Sequence, residues 1–476
     1  MGRDWQNWAN SRLFLEKVRN AFGPEEAELV RRAHDFATEK LQGQRPPLYN
    51  VAGLLLDQKA DAVTLAAALL APTIWHAGIP LPEIKEAFGE TVASTLADFG
   101  SPAALRTDTE PHRRKDIHVL LASFTGNPRK VVLRLAFRLM ELEHVSEPTK
   151  ESGRNLARET LDLYVPLADR LGLSMLRKQL EEKSFRILYP DTYRDLKQQV
   201  APIQSEDDRC LNILMDGVKR LLEKNGIEGE VQGRTKSLYG IYSKMTRYGA
   251  SLQDIMDRIG LRIIVSSVPE CYSVLGLLHS HFRPIPGTFD DYIGLPKENG
   301  YQSLHTCVYP VRDISHKPIE FQIRTVLMHM EAEYGVAAHW RYKSAEAAAA
   351  NNHKQSRWIE SLVDQHRNAP DSDGFMELLY RQVYHDRLVI FGNGGQILRL
   401  PENATVQDFV ERANPEVSPP FVIRVNGEIA HMGRVLRDGD TVEIVGGNDP
   451  AIGVQPSEKA ALTLFRAEKL ESPGGK

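Results

Sequence analysis

The chain has 476 residues, a formal net charge of −4, 42% hydrophobic and 26% charged residues, the balance of an ordinary globular protein. That charge excludes a global basic field for nucleic acid, so any polyanion site must be local. Three widely spaced cysteines, Cys210, Cys271 and Cys307, argue against a disulfide framework or a C-x-x-C metal knuckle, and the lack of a long apolar run predicts a cytoplasmic protein without a membrane span.

Residues 1–200 predict a helical domain. Apolar positions recur at helical spacing in LVRRAHDFATEKL, DAVTLAAALLAPTIW and ETLDLYVPLADRLGLSMLRKQLEEKSFRIL, with Pro46-Pro47, Pro72 and Gly78 at the joints. Residues 201–345 turn to mixed α and β, with strands expected at 259–265 (IGLRIIV), 301–310 (YQSLHTCVYP) and 318–325 (PIEFQIRT). Ser251 with Asp254 has the spacing of a capping box for a short helix ending near Asp257. In the last strand Ile319, Phe321 and Ile323 alternate with Glu320, Gln322 and Arg324, which predicts a core face and a polar working face. Residues 346–384 are expected as a helical linker, with RNAPDSDG at its break. Residues 385–448 give strand-turn-strand, a helix and two strands, similar to a ubiquitin-like β-grasp, and the tail 449–476 is expected to be disordered.

One stretch has neither a helical nor a strand period. Asp290 to His305, DDYIGLPKENGYQSLH, gathers two carboxylates, a Pro-Lys-Glu-Asn-Gly turn, an aromatic, an amide and an imidazole, as a loop that grips something polar and planar would. Upstream, GRTKSLYGIYSKM sets Arg234, Lys236 and Lys244 near a helix start, cations suited to a chain of phosphates. Asp257 and Glu320 are the candidate ligands for Mg²⁺, which beside a nucleotide takes one or two carboxylates plus phosphate oxygens. Tyr301 can stack on a base, a contact of about 1–3 kcal/mol. Lys297, Asn299 and His305 can reach phosphate or ribose. Each alone reads as readily as a solvated charge or strand-edge group; their order and density point to a nucleotide.

In order, GRTKSLYGIYSKM, DIMDRIGLRIIV, TFDDYIGLPKENGYQSLHT, IEFQIRT and EAEYGVAAHWRYK closely resemble the synthetase motifs of the RelA/SpoT homologues, stringent-response enzymes that make and degrade (p)ppGpp. The likeness extends over nearly the whole chain. It implies a multidomain α+β protein: a helical HD-type domain, a mixed α/β nucleotidyltransferase-like synthetase domain and a small TGS β-grasp. It also implies transfer of the β,γ-pyrophosphoryl group of ATP to the 3′-OH of GDP or GTP. On the matching positions Asp257 and Glu320 would hold Mg²⁺, and Glu320 would draw the proton from the 3′-OH. Arg234, Lys236 and Lys244 would hold ATP, Tyr301 would stack on guanine, and Lys297, Asn299, His305 and Gln322 would surround the acceptor. The alternatives are an idle guanine-nucleotide or alarmone sensor, and a pyrophosphokinase for another acceptor such as an adenine nucleotide or tRNA.

The chain departs from the family pattern at several points. Gly240 stands where Ser is usual, and TFDD precedes Tyr292 as in synthesis-only members. The positions of the family's histidine–aspartate metal site hold Asn50, Ala71, Pro72 and Phe137, which leave no closed ligand set. The expectation is a pseudo-hydrolase domain without (p)ppGpp hydrolysis. In the TGS-like module VSPPF (417–421) replaces the histidine-bearing run expected to meet tRNA, which puts ribosome and tRNA contact in doubt. The expected regulator is a protein or ligand acting through the TGS or pseudo-hydrolase domain; oligomeric state and the choice between GDP and GTP stay open.

Overall fold

The computed structural model describes residues 11–41, 48–97, 127–145, 151–248, 251, 252, 255, 259–297, 299–311, 317–342, 388–392, 397–400, 404–413, 421–437 and 440–446. The expected linker and tail lie outside the described residues, as does the VSPPF run before Phe421. So does most of the short helix expected before Asp257, where the described Ser251, Leu252 and Ile255 are not helical. The chain divides into two compact units, Met1–Leu379 and Tyr380–Lys476. Among the described residues no helix is long and apolar enough to cross a membrane.

The first unit begins with helices α1 (Ser11–Ala21), α2 (Pro24–Leu41), α3 (Leu48–Asp57), α4 (Ala62–Ala77), α5 (Leu81–Phe88), α6 (Glu90–Leu96) and α7 (Pro128–Glu143). α4 is buried at every residue from Thr64 to Thr73, as an alanine- and leucine-rich helix without a polar stripe must be. Asp61 caps it by accepting from Thr64 N at 3.0 Å and is itself held by Arg129 at 2.8 Å; Gly78, at φ 66°, ends it. α8 (Glu151–Glu159) runs through a π turn (Thr160–Tyr164) into α9 (Val165–Arg170), and α10 (Ser174–Leu188) follows a turn at Gly172. α11 (Pro190–Lys224) is a single 35-residue helix, so the domain boundary expected at 200/201 falls inside it. Its first half packs Leu196 with Phe185, and its second half lays Leu211, Leu214, Val218 and Leu222 on a sheet.

That sheet has the order β1 (Gly229–Thr235), β2 (Ile259–Val265), β5 (Ile319–Thr325), β4 (Leu304–Val308), β3 (Asp290–Asp291). β2 and β5 are parallel; the other neighbours are antiparallel. α12 (Leu238–Tyr248) follows β1, α13 (Val268–His281) follows β2, and α14 (Val326–Tyr342) follows β5. Leu261 and Ile263, Phe321 and Ile323, and Leu304 face a core shared with α11 and α13. The alternating residues Gly260, Arg262, Glu320, Gln322 and Arg324 turn to the opposite face. The expected strand 301–310 is shorter than its apolar pattern, because Tyr301 to Ser303 remain in the loop. The second unit carries strands β6 (Leu388–Phe391) to β10 (Val442–Gly446) and α15 (Val406–Ala413), closed around Ile390, Phe409, Ile423 and Val425.

One glycine position fixes how α14 meets the helices. Gly335 interrupts α14 at φ 53°, ψ −136°, and Val336 N donates to Leu171 O at 3.1 Å. A Cβ on Gly335 would lie 2.6 Å from the carbonyl carbon of Gly172 and overlap the Leu171 carbonyl oxygen. Gly335→Ala should therefore cost roughly 2–4 kcal/mol and lower the melting temperature in circular dichroism by several degrees. Gly276→Ala, on α13 with open space around it, should leave the melting temperature unchanged or raise it. Equal melting for the two variants would refute the close approach.

Candidate functional site

The polar face of the sheet and one face of α10 enclose a cavity of about 310 Å³. Parallel pairing of β2 with β5 sets Gly260 opposite Glu320 and Arg262 opposite Gln322, and β4 adds His305 opposite Gln322. Gly260 leaves room at the carboxylate: a Cβ there would come within 3.5 Å of Glu320 Oε2. Glu320 is the centre of a continuous polar run. The Tyr301 hydroxyl lies 2.8 Å from His305 Nε2, and His305 Nδ1 lies 3.2 Å from Glu320 Oε1. Gln322 Nε2 donates to Glu320 Oε2 at 3.1 Å, and Arg234 Nη1 to Gln322 Oε1 at 3.2 Å.

The loop before β4 is a tight turn. Gly300, at φ 82°, donates to Lys297 O at 2.8 Å, and Lys297 N to Tyr301 O at 3.1 Å. Asn299 accepts from Tyr301 N at 3.1 Å and donates its side-chain amide to Asp169 O at 3.3 Å, tying the loop to the end of α9. Lys297 Nζ sits 4.6 Å from the Tyr292 ring centre.

Eight of the ten residues singled out from the sequence line this cavity: Arg234, Lys236, Lys297, Asn299, Tyr301, His305, Glu320 and Gln322. Lys244 is not among the lining residues; it stands six residues into α12, about 9 Å along the axis from the helix start at 1.5 Å per residue. Asp257 lies outside the described residues. Arg234 reaches the site from β1, not from the helix start where the sequence suggested it.

Five charged lining residues were missed, Asp169, Arg177, Lys178, Arg262 and Glu333, while Arg324 stands on the working face that the alternation in IEFQIRT predicted. Glu333 Oε1 holds both Arg262 (2.9 Å) and Arg324 (3.1 Å), and Arg324 is 1% exposed. Burial alone would raise the Glu333 pKa, but Arg262, Lys178 and Arg324 outweigh it and hold the carboxyl at about 2. Burial, with Arg324 adding to it, pushes His329 down to about 4, so its neutral ring faces the Arg324 guanidinium at 2.8 Å. A signal for this group was present. A lone arginine inside IGLRIIV, a strand buried along its whole length, needs an anionic partner.

The lining carries seven Lys or Arg side chains against three carboxylates. Among the described residues no three His, Cys, Asp or Glu converge as a metal cluster. Glu320 brings to the cavity the hard oxygen donor that a cation sharing phosphate oxygens takes, and Asp257, two residues before β2 in the chain, lies outside the described residues.

Three family models match the chain in order: an HD domain over 33–174, the region found in RelA / SpoT proteins over 233–347, and a TGS domain over 389–446. Helical HD domain, sheet with a cationic cavity and TGS β-module define the class. The chain belongs to the RelA/SpoT family. Its relatives include a probable guanosine-3′,5′-bis(diphosphate) 3′-pyrophosphohydrolase of Synechocystis, 37% identical over 83% of this chain and 52% of the relative. A GTP pyrophosphokinase of Myxococcus xanthus is 32% identical over 88% and 56%. The bifunctional (p)ppGpp synthase/hydrolase SpoT of Escherichia coli is 33% identical over 83% and 56%. The chain thus spans about half the length of these curated relatives.

Those names overturn the expectation of a synthetase without hydrolysis, because relatives matched over most of the chain are named for the hydrolase as well as for the kinase. The substituted positions are real: Ala71 and Pro72 are buried in α4, Asn50 is on α3, and Phe137 on α7 meets Trp75 edge-on at 5.1 Å. Four changed side chains, three of them buried, do not by themselves decide the activity of the helical domain.

The ion group gives a pH test. The Glu333 carboxyl is depressed from an ordinary 4.5 to about 2, so the stability it contributes is fully present above about pH 4.5 and lost as pH falls toward 2. Glu333→Gln should cost roughly 3–5 kcal/mol at pH 7 by leaving two buried guanidinium groups without their anion. Thermal melts from pH 7 to 2 should show a smaller further loss in the variant than in the wild type. Parallel pH curves would mean that Glu333 is not ionised in the fold.

Proposed function

We propose that the chain is a (p)ppGpp-metabolising enzyme and that the cavity around Glu320 is its GTP pyrophosphokinase centre, moving the β,γ-pyrophosphoryl group of ATP to the 3′-hydroxyl of GDP or GTP. The observation that carries this reading is the charge of the cavity, seven cations against three anions in a chain with net charge −4. A site so far from the mean of its protein suits a polyanion. In such phosphoryl chemistry positioning and charge neutralisation do most of the work.

Each neighbour has a role in that chemistry. Arg234 and Lys236 hold the donor phosphates. Tyr301 offers a ring to the acceptor base, with Lys297 and Asn299 on the same loop. Glu320 takes the proton of the 3′-hydroxyl, and its contacts with His305 and Gln322 fix the carboxylate for that step. Mg²⁺ held by Glu320 and Asp257 would supply neutralisation of the phosphate oxygens. Hydrolysis is not denied to the HD domain, whose matched relatives include hydrolases by name.

The test uses γ-labelled ATP with Mg²⁺ and GDP or GTP, followed by nucleotide separation. Labelled tetra- or pentaphosphate is expected, reduced roughly 10²–10⁴-fold by Glu320→Gln. Binding without transfer, or label appearing on another acceptor alone, would overturn the assignment. Incubation of the same protein with ppGpp reads the HD domain separately.

A further inference from the structure

Ser174, Arg177 and Lys178 stand at i, i+3 and i+4 on α10, so they share one helix face, and all three line the cavity. The start of α10 is fastened to the pocket. Asn299 donates to Asp169 O, Val336 N donates to Leu171 O, and a Cβ on Gly172 would lie only 3.1 Å from Gly335 Cα. The helix face is therefore part of the cavity wall.

Its two cations are placed differently. Arg177 has two carboxylates of its own, Asp169 at 3.3 Å and Glu181 at 3.4 Å. Lys178 makes no hydrogen bond or ion pair with any described residue. The charges facing it are Arg177 and Glu181 on its own helix, Arg234 on β1, Arg262 on β2 and Glu333 on α14. Glu181 is engaged by Arg177, and Glu333 by Arg262 and Arg324. A part-buried ammonium beside three guanidinium groups, with Glu181 held by Arg177 and with Glu333 shared with the closer Arg262 and Arg324, has more positive than negative charge around it until an anion arrives.

We propose that Lys178 is a phosphate-binding residue of the pocket, so that a helix outside the sheet domain supplies one of the cations that grip the nucleotide's polyphosphate chain. Lys178 falls between the matched HD and RelA/SpoT spans, 33–174 and 233–347. The assignment rests on the pocket being the nucleotide site proposed above. Burial, followed by Arg234, brings the lysine down to about 8 in the ligand-free protein. A bound polyphosphate raises that value, so affinity is fully present below about pH 8 and falls as pH rises through it.

The experiment is calorimetric titration of the full chain with a non-hydrolysable ATP analogue and Mg²⁺, from pH 7 to 9.5. For Lys178→Met the Kd should rise roughly 10- to 100-fold at pH 7, the loss of one charge-assisted phosphate contact. Its melting temperature should stay close to that of the wild type, because the attraction to Glu333 that is lost is offset by the repulsion from Arg234, Arg262 and Arg177 that is removed. Lys178→Arg should bind within about threefold of wild type and lose the fall in affinity near pH 8, since guanidinium stays charged there. A wild-type chain that binds no analogue defeats the nucleotide reading of the pocket itself. Wild-type binding with Lys178→Met within twofold and an unchanged pH profile overturns the role of Lys178 and leaves that reading standing.

Discussion

Arg262 on β2 and Arg324 on β5 meet one carboxylate oxygen of Glu333 on α14, at 2.9 and 3.1 Å, in the wall of the cavity. Two guanidinium groups taken out of water cost several kcal/mol each unless an anion is held close, so this contact limits where α14 can lie. With α14 anchored there, its kink at Gly335 presses against Leu171 and Gly172, and that approach sets the start of α10. α10 in turn presents Ser174, Arg177 and Lys178 to the sheet. The pocket wall contributed by the helices thus depends on an ion group that touches three elements of the sheet domain. A different arrangement of Glu333 would move a helix that is more than 140 residues away in the chain.

What could be read from the sequence was what local period and motif carry. The alternation in IEFQIRT placed Glu320, Gln322 and Arg324 on one face without any tertiary knowledge, because a strand repeats every two residues. The polar density of 290–305 marked a loop because the run has neither period, and the structure confines that loop to 292–303: Asp290 and Asp291 form β3, and Leu304 opens β4 inside the core. Arg177 and Lys178 were not legible, since on α10 alone they are an ordinary solvated helix face. Only docking of α10 against the sheet turns that face inward. The boundary expected at 200/201 falls inside α11 because that helix serves two cores in succession, and its apolar spacing does not break where its partner changes.

The helical domain marks a different limit. Reading four positions for their ligand chemistry identified what those side chains cannot coordinate, and the fold places them on α3, α4 and α7. The step from there to an absent activity treated a metal site as a sum of aligned letters. A site is a geometry, with neighbouring groups and solvent included, and the family names attached to similar chains run in both directions.

Charge makes the same point inside the pocket. A formal charge of −4 describes the average of the whole chain, whereas seven cations and three carboxylates share one cavity of about 310 Å³. Burial, with repulsion from neighbouring guanidinium groups added to it, lowers both Lys178 and Arg262. Selection for stability alone would dilute that charge, and a core of this size could close over apolar side chains instead. Glu333 offsets part of the repulsion by holding Arg262 and Arg324, and if the pocket is the nucleotide site proposed above, a polyanion would relieve the rest on arrival.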